Sequence, residues 1–496
     1  MNSLPIALET KDLIGLLLLP IASILMTLLL LIRPQLRLAC LFVMSAGLPI
    51  SSMFDVNIFS AYWYRGTTRG FEVTLFDVIA LALLLSSMIY PRTGQRRFYW
   101  PASLTFMLIY VAYCAASTMT ASPWIFGVFE ISKLLRGLVF FLAAAIFVRR
   151  ERDLTAIALG LACAILAESA LAIRERLILD VYRPTGTLFH PNSLSMYFCM
   201  TIPVIIAAAC CNLAAWIRWL CWASILAGAC TMLLALSRAG LPIFLVVTGG
   251  TLAWCGSWRP TAGKFAGAAV AALVLVGVGI KAWPSIMERY GQATLQEEYF
   301  DAEGESRGYY FRQAGIILTD NPFGVGLNNW SYWVSKEYGK SLGMRYENYD
   351  GLMYAPPSEL MISFRFAPPA HNLGVLTVGE IGWLGLGLFT VLWARWLGMG
   401  AGFLFRRQPD MYARMGVGLC FALVGVFLHS FTEWTFRQTE IFMTFNLLAG
   451  SLAALIRIRQ EAAVAARADA PAELEAAPDW DTGVPLRPAF NPVDAH

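Results

Sequence analysis

The chain has 496 residues, with 37 Lys and Arg against 33 Asp and Glu, a formal net charge of +4 and 58% hydrophobic residues. Charged residues make up 14% of it, where a soluble globular protein carries about 25%. That balance excludes a water-soluble globule, a disordered chain, a secreted disulfide scaffold and a strongly basic nucleic-acid binder, and it points to a polytopic membrane protein.

A membrane-crossing helix needs about 20 mainly apolar residues. Apolar runs fall at 13–32, 37–54, 74–90, 101–119, 131–148, 154–173, 193–212, 219–236, 239–256, 265–283, 372–394, 412–430 and 438–456. They predict an all-α transmembrane bundle of twelve or thirteen spans. The first run is too long for a signal-peptide core and reads as a retained anchor. The second is interrupted at Gly47-Leu48-Pro49. The expected organisation is N-terminal membrane helices over 1–283, a large extracytoplasmic loop over 284–370, C-terminal membrane helices over 371–460 and a disordered cytoplasmic tail over 461–496. The loop holds 7 Lys and Arg, 11 Asp and Glu and nine of the 18 Tyr; a loop this long is uncommon without a function. Its stretch Arg307 to Thr319 has apolar residues at helical spacing and predicts a short helix ending before Asn321-Pro322. All ten Cys lie in apolar segments without zinc spacing and read as buried side chains.

Short basic clusters set the orientation, because Lys and Arg concentrate in cytoplasmic loops. Arg92 to Arg97, Arg149 to Arg152, Arg406-Arg407 and Arg457-Ile458-Arg459 all become cytoplasmic when the C-terminus is placed there. The Arg183–Asn192 connection, the Ser237-Arg238 turn and the long loop then face the other side.

Polar residues that a membrane makes costly are the candidates for chemistry. Arg238 lies between two charge-free stretches, in Leu236-Ser237-Arg238-Ala239-Gly240, and reads either as a snorkelling interfacial residue or as an anion clamp. Arg183 and His190 flank a turn shaped by Pro184 and Gly186, with Asn192 as the expected N-cap of the next helix. Arg307 opens the loop helix, and Arg312 follows five residues on. His371, where the chain returns to the membrane, is placed as a general base, since imidazole exchanges protons near neutral pH. Glu380 in the helix that follows is costly unless paired, and His429 and Glu433 share that character more weakly. Gly324-Val325-Gly326 follows a helix rather than a strand, so it is no dinucleotide loop. Neither metal-ligand spacing nor a Gly-x-Ser-x-Gly elbow occurs.

The order of these features resembles the O-antigen ligase and O-antigen polymerase superfamily of bacterial membrane glycosyltransferases. The likeness is carried by Gly186-Thr187-x-x-His190-Pro191-Asn192, by Leu236 to Gly240, by Arg307 heading a helix that runs into Asn321-Pro322-Phe323-Gly324-Val325-Gly326, and by His371-Asn372 followed by Gly379-Glu380-Ile381-Gly382. It covers about 180–450; the longer, Tyr-rich loop and the extended tail depart from it. The resemblance implies a GT-C-like fold in the inner membrane. It implies metal-independent, inverting transfer of a glycan from undecaprenyl diphosphate, without a cofactor, at the periplasmic face. The acceptor would be lipid A-core in a ligase, another lipid-linked glycan in a polymerase, or a protein in an O-oligosaccharyltransferase. By the same resemblance His371 is the base, Arg238, Arg307 and Arg183 hold the diphosphate, and His190, Asn192, Arg312, Asn372 and Glu380 support them. Membrane lipids are expected partners and nucleic acid is not. The rival from another class is a transporter or lipid flippase, which predicts pseudo-symmetric halves.

Overall fold

Each of the thirteen apolar runs contributes a helix to the computed structural model, which describes residues 10–61, 64–92, 98–257, 259–291, 297, 307–343, 366–405 and 410–468. In chain order these are α1 (Thr10–Ile32), α2 (Leu36–Gly47), α3 (Leu75–Ile89), α4 (Ala102–Thr120), α5 (Ile125–Phe147), α6 (Glu151–Leu177), α7 (Pro191–Ala209), α8 (Ala215–Leu234), α9 (Gly240–Cys255) and α10 (Ala262–Gly291). The expected loop helix is α11 (Arg307–Asp320), and α12 (Leu373–Leu404), α13 (Met411–Ser430) and α14 (Thr439–Ala468) complete the set. Among the described residues ten helices are long and apolar enough to cross a membrane, and α3 and α9 are shorter apolar helices. Helix α5 has the length, but Glu130, Lys133 and Arg136 fall in its first half.

The interruption at Gly47 is a change of helix type, from α2 into a 3₁₀ turn over Leu48–Phe54. A hairpin follows that the sequence does not announce. Asp55–Ile58 pairs antiparallel with Phe71–Thr74, with Asp55 opposite Thr74. Four-residue strands are too short to show a period of two against apolar flanks.

The chain divides into two compact units, Met1–Ile456 and Arg457–His496. Of the predicted tail, residues 461–468 continue α14, as the Ala-rich Glu461–Ala468 favours, and 469–496 lie outside the described residues. Helix α10 likewise runs on to Gly291, inside the segment expected to be loop. Much of that loop, 298–306 and 344–365, also lies outside the described residues.

Within the first unit α7 is the central helix: 94% of its apolar window is buried, against 6% for α10 at the periphery. A helix apolar on all faces is stable only when surrounded. Helix α13 approaches α7 closely because small residues line the contact; a Cβ at Gly425 would come within 2.6 Å of the Cys199 carbonyl oxygen.

Helix α12 is broken at Ile381 (φ −124°, ψ 17°) and Gly382 (φ 67°, ψ −176°). Carbonyl groups that lose helical partners at a break must be satisfied by other donors. Here Val325 N–H donates to Gly379 O (3.0 Å) and Gly326 N–H to Glu380 O (2.7 Å), and the Tyr113 hydroxyl donates to Ile381 O (2.9 Å). The Gly-Val-Gly turn therefore docks the loop onto the helix that begins beside His371.

Candidate active site at one end of the bundle

Helix α6 measures the distance between the two ends. Near its start Arg92 pairs with Asp153 (2.6 Å), which also accepts from the Arg149 and Arg150 N–H groups. Its 27 residues span about 40 Å before the chain reaches the Arg183 turn. The ends of α6, α8, α10 and α13 and the starts of α7, α9, α12 and α14 gather there.

The turn into α7 is held from below by carboxylates of α6. Glu175 accepts from the N–H groups of Thr185 (2.7 Å) and Gly186 (3.1 Å), and Glu168 accepts from Thr187 N–H (2.9 Å) and from the Thr187 hydroxyl. The expected cap at Asn192 is corrected: His190 is the N-cap, its Nδ1 accepting from Asn192 N–H at 3.2 Å. Pro191 has no N–H to satisfy and takes the first helical position. The Asn192 side chain is released for the site. Its Oδ1 accepts from Arg183 Nη2 (2.9 Å) and from the Ser237 hydroxyl (3.3 Å), and its Nδ2 donates to Glu433 Oε1 (2.5 Å).

Glu433 is the hub. Its buried carboxylate also accepts from Arg307 Nη2 on Oε1 (3.2 Å) and pairs with His371 Nδ1 through Oε2 (2.7 Å). Arg307 Nε donates to Thr432 O (3.1 Å), so one guanidinium grips two consecutive residues. Tyr310 of α11 lies against the His371 ring, centroids 5.7 Å apart. Burial pushes the Glu433 carboxyl upward, but the His371 hydrogen bond and the charges of His371 and Arg307 outweigh it and hold it below the usual carboxylate range. An ionised Glu433 accepts a hydrogen bond from Nδ1–H of His371 and so fixes that tautomer, which leaves the Nε2 lone pair available as a base.

Asn192, Ser237, Arg238, Arg289, Arg307 and Glu433 line an open cleft of about 250 Å³. Arg183 stands beside it, and burial together with the neighbouring charges of Arg289 and Arg238 lowers its pKa to about 10. Burial and the same two neighbours also lower Arg307, against the pull of Glu433. Arg183, Arg289 and Arg307 are lowered from so high a starting value that they stay charged at neutral pH. Arg183, Arg238, Arg289 and Arg307 thus gather around one cleft, with Arg307 paired to Glu433, and planar guanidiniums suit an anion with several oxygens. His429 closes the floor from the last turn of α13, fully buried, with neither ring nitrogen hydrogen-bonded among the described residues.

Arg183, Asn192, Arg238, Arg307 and His371 are thus brought together, and His190 supports them as the cap. Three expected supporting roles are corrected. Arg312 is exposed on the outer face of α11, since five residues turn a helix about 500° and carry it off the face of Arg307. Asn372 caps α12, accepting from Val375 N–H (2.9 Å) and donating to Phe431 O (2.7 Å), rather than orienting the imidazole. Glu380 belongs to a separate buried network, paired with Arg437 Nη1 at 2.5 Å; Arg437 Nε also reaches Glu130 (3.0 Å), which pairs with Lys133 (2.9 Å).

Of the other principal site residues, Glu433 is only a weaker candidate by sequence, and Arg289 is not singled out. Glu433 stands out only as a buried acid four residues after His429, and nothing local ties it to residues 62 and 126 positions away. Arg289 ends a helix whose run of apolar residues had already stopped. No protein-family model matches the chain, and no curated protein matches it.

Proposed function

We propose that the protein is a glycosyltransferase of the O-antigen ligase type, GT-C-like in fold, seated in the bacterial inner membrane with the Glu433 site facing the periplasm. The observation that carries this reading is the pairing of a His371–Glu433 dyad with a cleft of guanidiniums at the bundle end opposite Arg92 and Arg149. That end is extracytoplasmic by the basic-loop rule. The ordered motif set of 186–382 supports the choice of donor, a glycan on undecaprenyl diphosphate, and of lipid A-core as acceptor.

In this reading the diphosphate lies against Arg183, Arg238, Arg289 and Arg307, whose charges take up the negative charge that develops on the leaving group. His371 Nε2 accepts the proton of the acceptor hydroxyl as that oxygen bonds to the anomeric carbon. The carbon–oxygen bond to the diphosphate breaks with inversion, and the electron pair leaves with the diphosphate. Glu433 stabilises the imidazolium and is a positioning residue for His371; Asn192 positions Glu433.

The test is the surface polysaccharide of a deletion strain. Loss of lipid A-linked glycan with full-length lipid-linked polymer accumulating is expected. Single repeats alone would reassign the protein as a polymerase, and an unchanged surface glycan would remove the proposal.

A further inference from the structure

A second cavity lies on the other side of the 431–438 turn, enclosed by α4, α5, α12 and α14. Tyr110, Leu134, Phe389, Trp396, Arg437 and Asn446 are among its walls. Most of the lining is aliphatic or aromatic, and Leu134 and Tyr110 are only partly buried, on the side of α4 and α5.

Three polar atoms of this wall are buried without a hydrogen-bond partner among the described residues: Arg437 Nη2, Trp396 Nε1 and Asn446 Oδ1. Each belongs to a side chain otherwise held in place. Arg437 is fixed through Nε and Nη1 by Glu130 and Glu380, Asn446 donates to Phe442 O (2.8 Å), and Trp396 stacks edge-on against Phe445 at 4.8 Å. Orphaned buried polar groups are costly, and three on one cavity call for a ligand that satisfies them.

The chemistry of the set defines that ligand. Two N–H donors and one carbonyl acceptor are the complement of a hydroxyl group, which accepts through two lone pairs and donates one proton. Charge separates this cavity from the arginine cleft. Arg437 and Lys133 are matched by Glu130 and Glu380 within one network, so no surplus charge invites a phosphate. The apolar remainder suits a hydrocarbon chain, since its walls offer water no partners.

We infer that this cavity binds a neutral lipid alcohol, its hydroxyl meeting Arg437, Trp396 and Asn446 and its chain lying among the aromatic walls toward α4 and α5. Such an alcohol could be a polyprenol or a diacylglycerol; both offer the same group. The site is independent of the transfer reading and stands whether or not that reading does.

The experiment uses the full chain in lipid nanodiscs with a hexadecanol probe carrying a diazirine in its chain, followed by peptide mapping of the crosslink. Labelling of α4, α5, α12 or α14 around the cavity is expected. Trp396→Phe, which removes only the N–H, and Asn446→Leu should each reduce it about three- to ten-fold, the worth of one hydrogen bond. Thermal unfolding checks that both variants are folded; if Asn446→Leu is not, Trp396→Phe alone decides. Competition by farnesol or by dioleoylglycerol identifies the natural source. Equal labelling by a hexadecane diazirine or by hexadecyl phosphate overturns the assignment. So does labelling unchanged in folded Trp396→Phe, or its absence altogether, which would leave the cavity to water.

Discussion

Glu433→Gln isolates the step on which the site depends, because it changes one atom of the hub. Oε1 of Glu433 accepts from both Asn192 Nδ2 and Arg307 Nη2, whereas among the described residues Oε2 meets only His371 Nδ1. The glutamine oxygen therefore keeps the two donors, and its amide group turns to His371. An amide N–H forces Nδ1 to become the acceptor, so the ring proton moves to Nε2, where the base must be. Losing a general base costs about 10²–10⁴ in rate, or about 3–5 kcal/mol of transition-state stabilisation. The fold loses much less, about 1–3 kcal/mol, since every donor retains a partner. Turnover of a lipid-diphosphate glycan in nanodiscs measures the first quantity. Nitrogen-15 NMR of labelled histidine reads the tautomer directly, which is practical with four His in the chain. Wild-type turnover by a folded Glu433→Gln protein, or an Nε2–H ring in the unaltered protein, would refute the reasoning.

Arg307→Lys keeps the charge but not the fork that reaches Thr432 and Glu433 together, so undecaprenyl diphosphate binding should weaken about ten-fold; Arg312→Ala, on the exposed face, should leave it unchanged. Burial, opposed by Glu433 and reinforced by Arg183, lowers the pKa of His190. The native state then binds fewer protons than the unfolded chain, so the contribution of His190 is present above about pH 6.5 and lost as the pH falls below it. Thermal unfolding from pH 8 to 5 should show that loss, and His190→Asn, which caps without titrating, should flatten it. Gly382→Ala places a Cβ 2.7 Å from Phe323 Cα and Pro322 O at positive φ and should cost about 1–3 kcal/mol in thermal unfolding. Cysteines at Arg312 and Arg152, both exposed, should react with impermeant reagents from opposite sides of the membrane.

The helices were legible because hydrophobic length is a one-dimensional property, and the break at Gly47 and the stop at Asn321 were legible because Gly and Pro act locally. Arg183, Arg238, Arg307 and His371 stood out because an ionisable residue is conspicuous against apolar sequence. What held them together was not legible. Asn192 looked like a cap, but a neutral His190 takes that place, and only the folded turn shows where the freed amide goes. Glu433 is less conspicuous in the sequence than Glu380; packing gives Glu380 to Arg437 and Glu433 to His371. The hairpin at Asp55–Ile58 and the loop docked on the break in α12 depend on pairings too short or too distant to leave a pattern.

Whether His371 drives glycan transfer is decided by the purified protein in nanodiscs, given a radiolabelled glycan on undecaprenyl diphosphate and lipid A-core. Labelled lipid A-core with one undecaprenyl diphosphate released per glycan is expected, and none from a His371→Ala protein that still binds the donor. Donor left intact by the unaltered protein, or wild-type release by His371→Ala, would contradict that role.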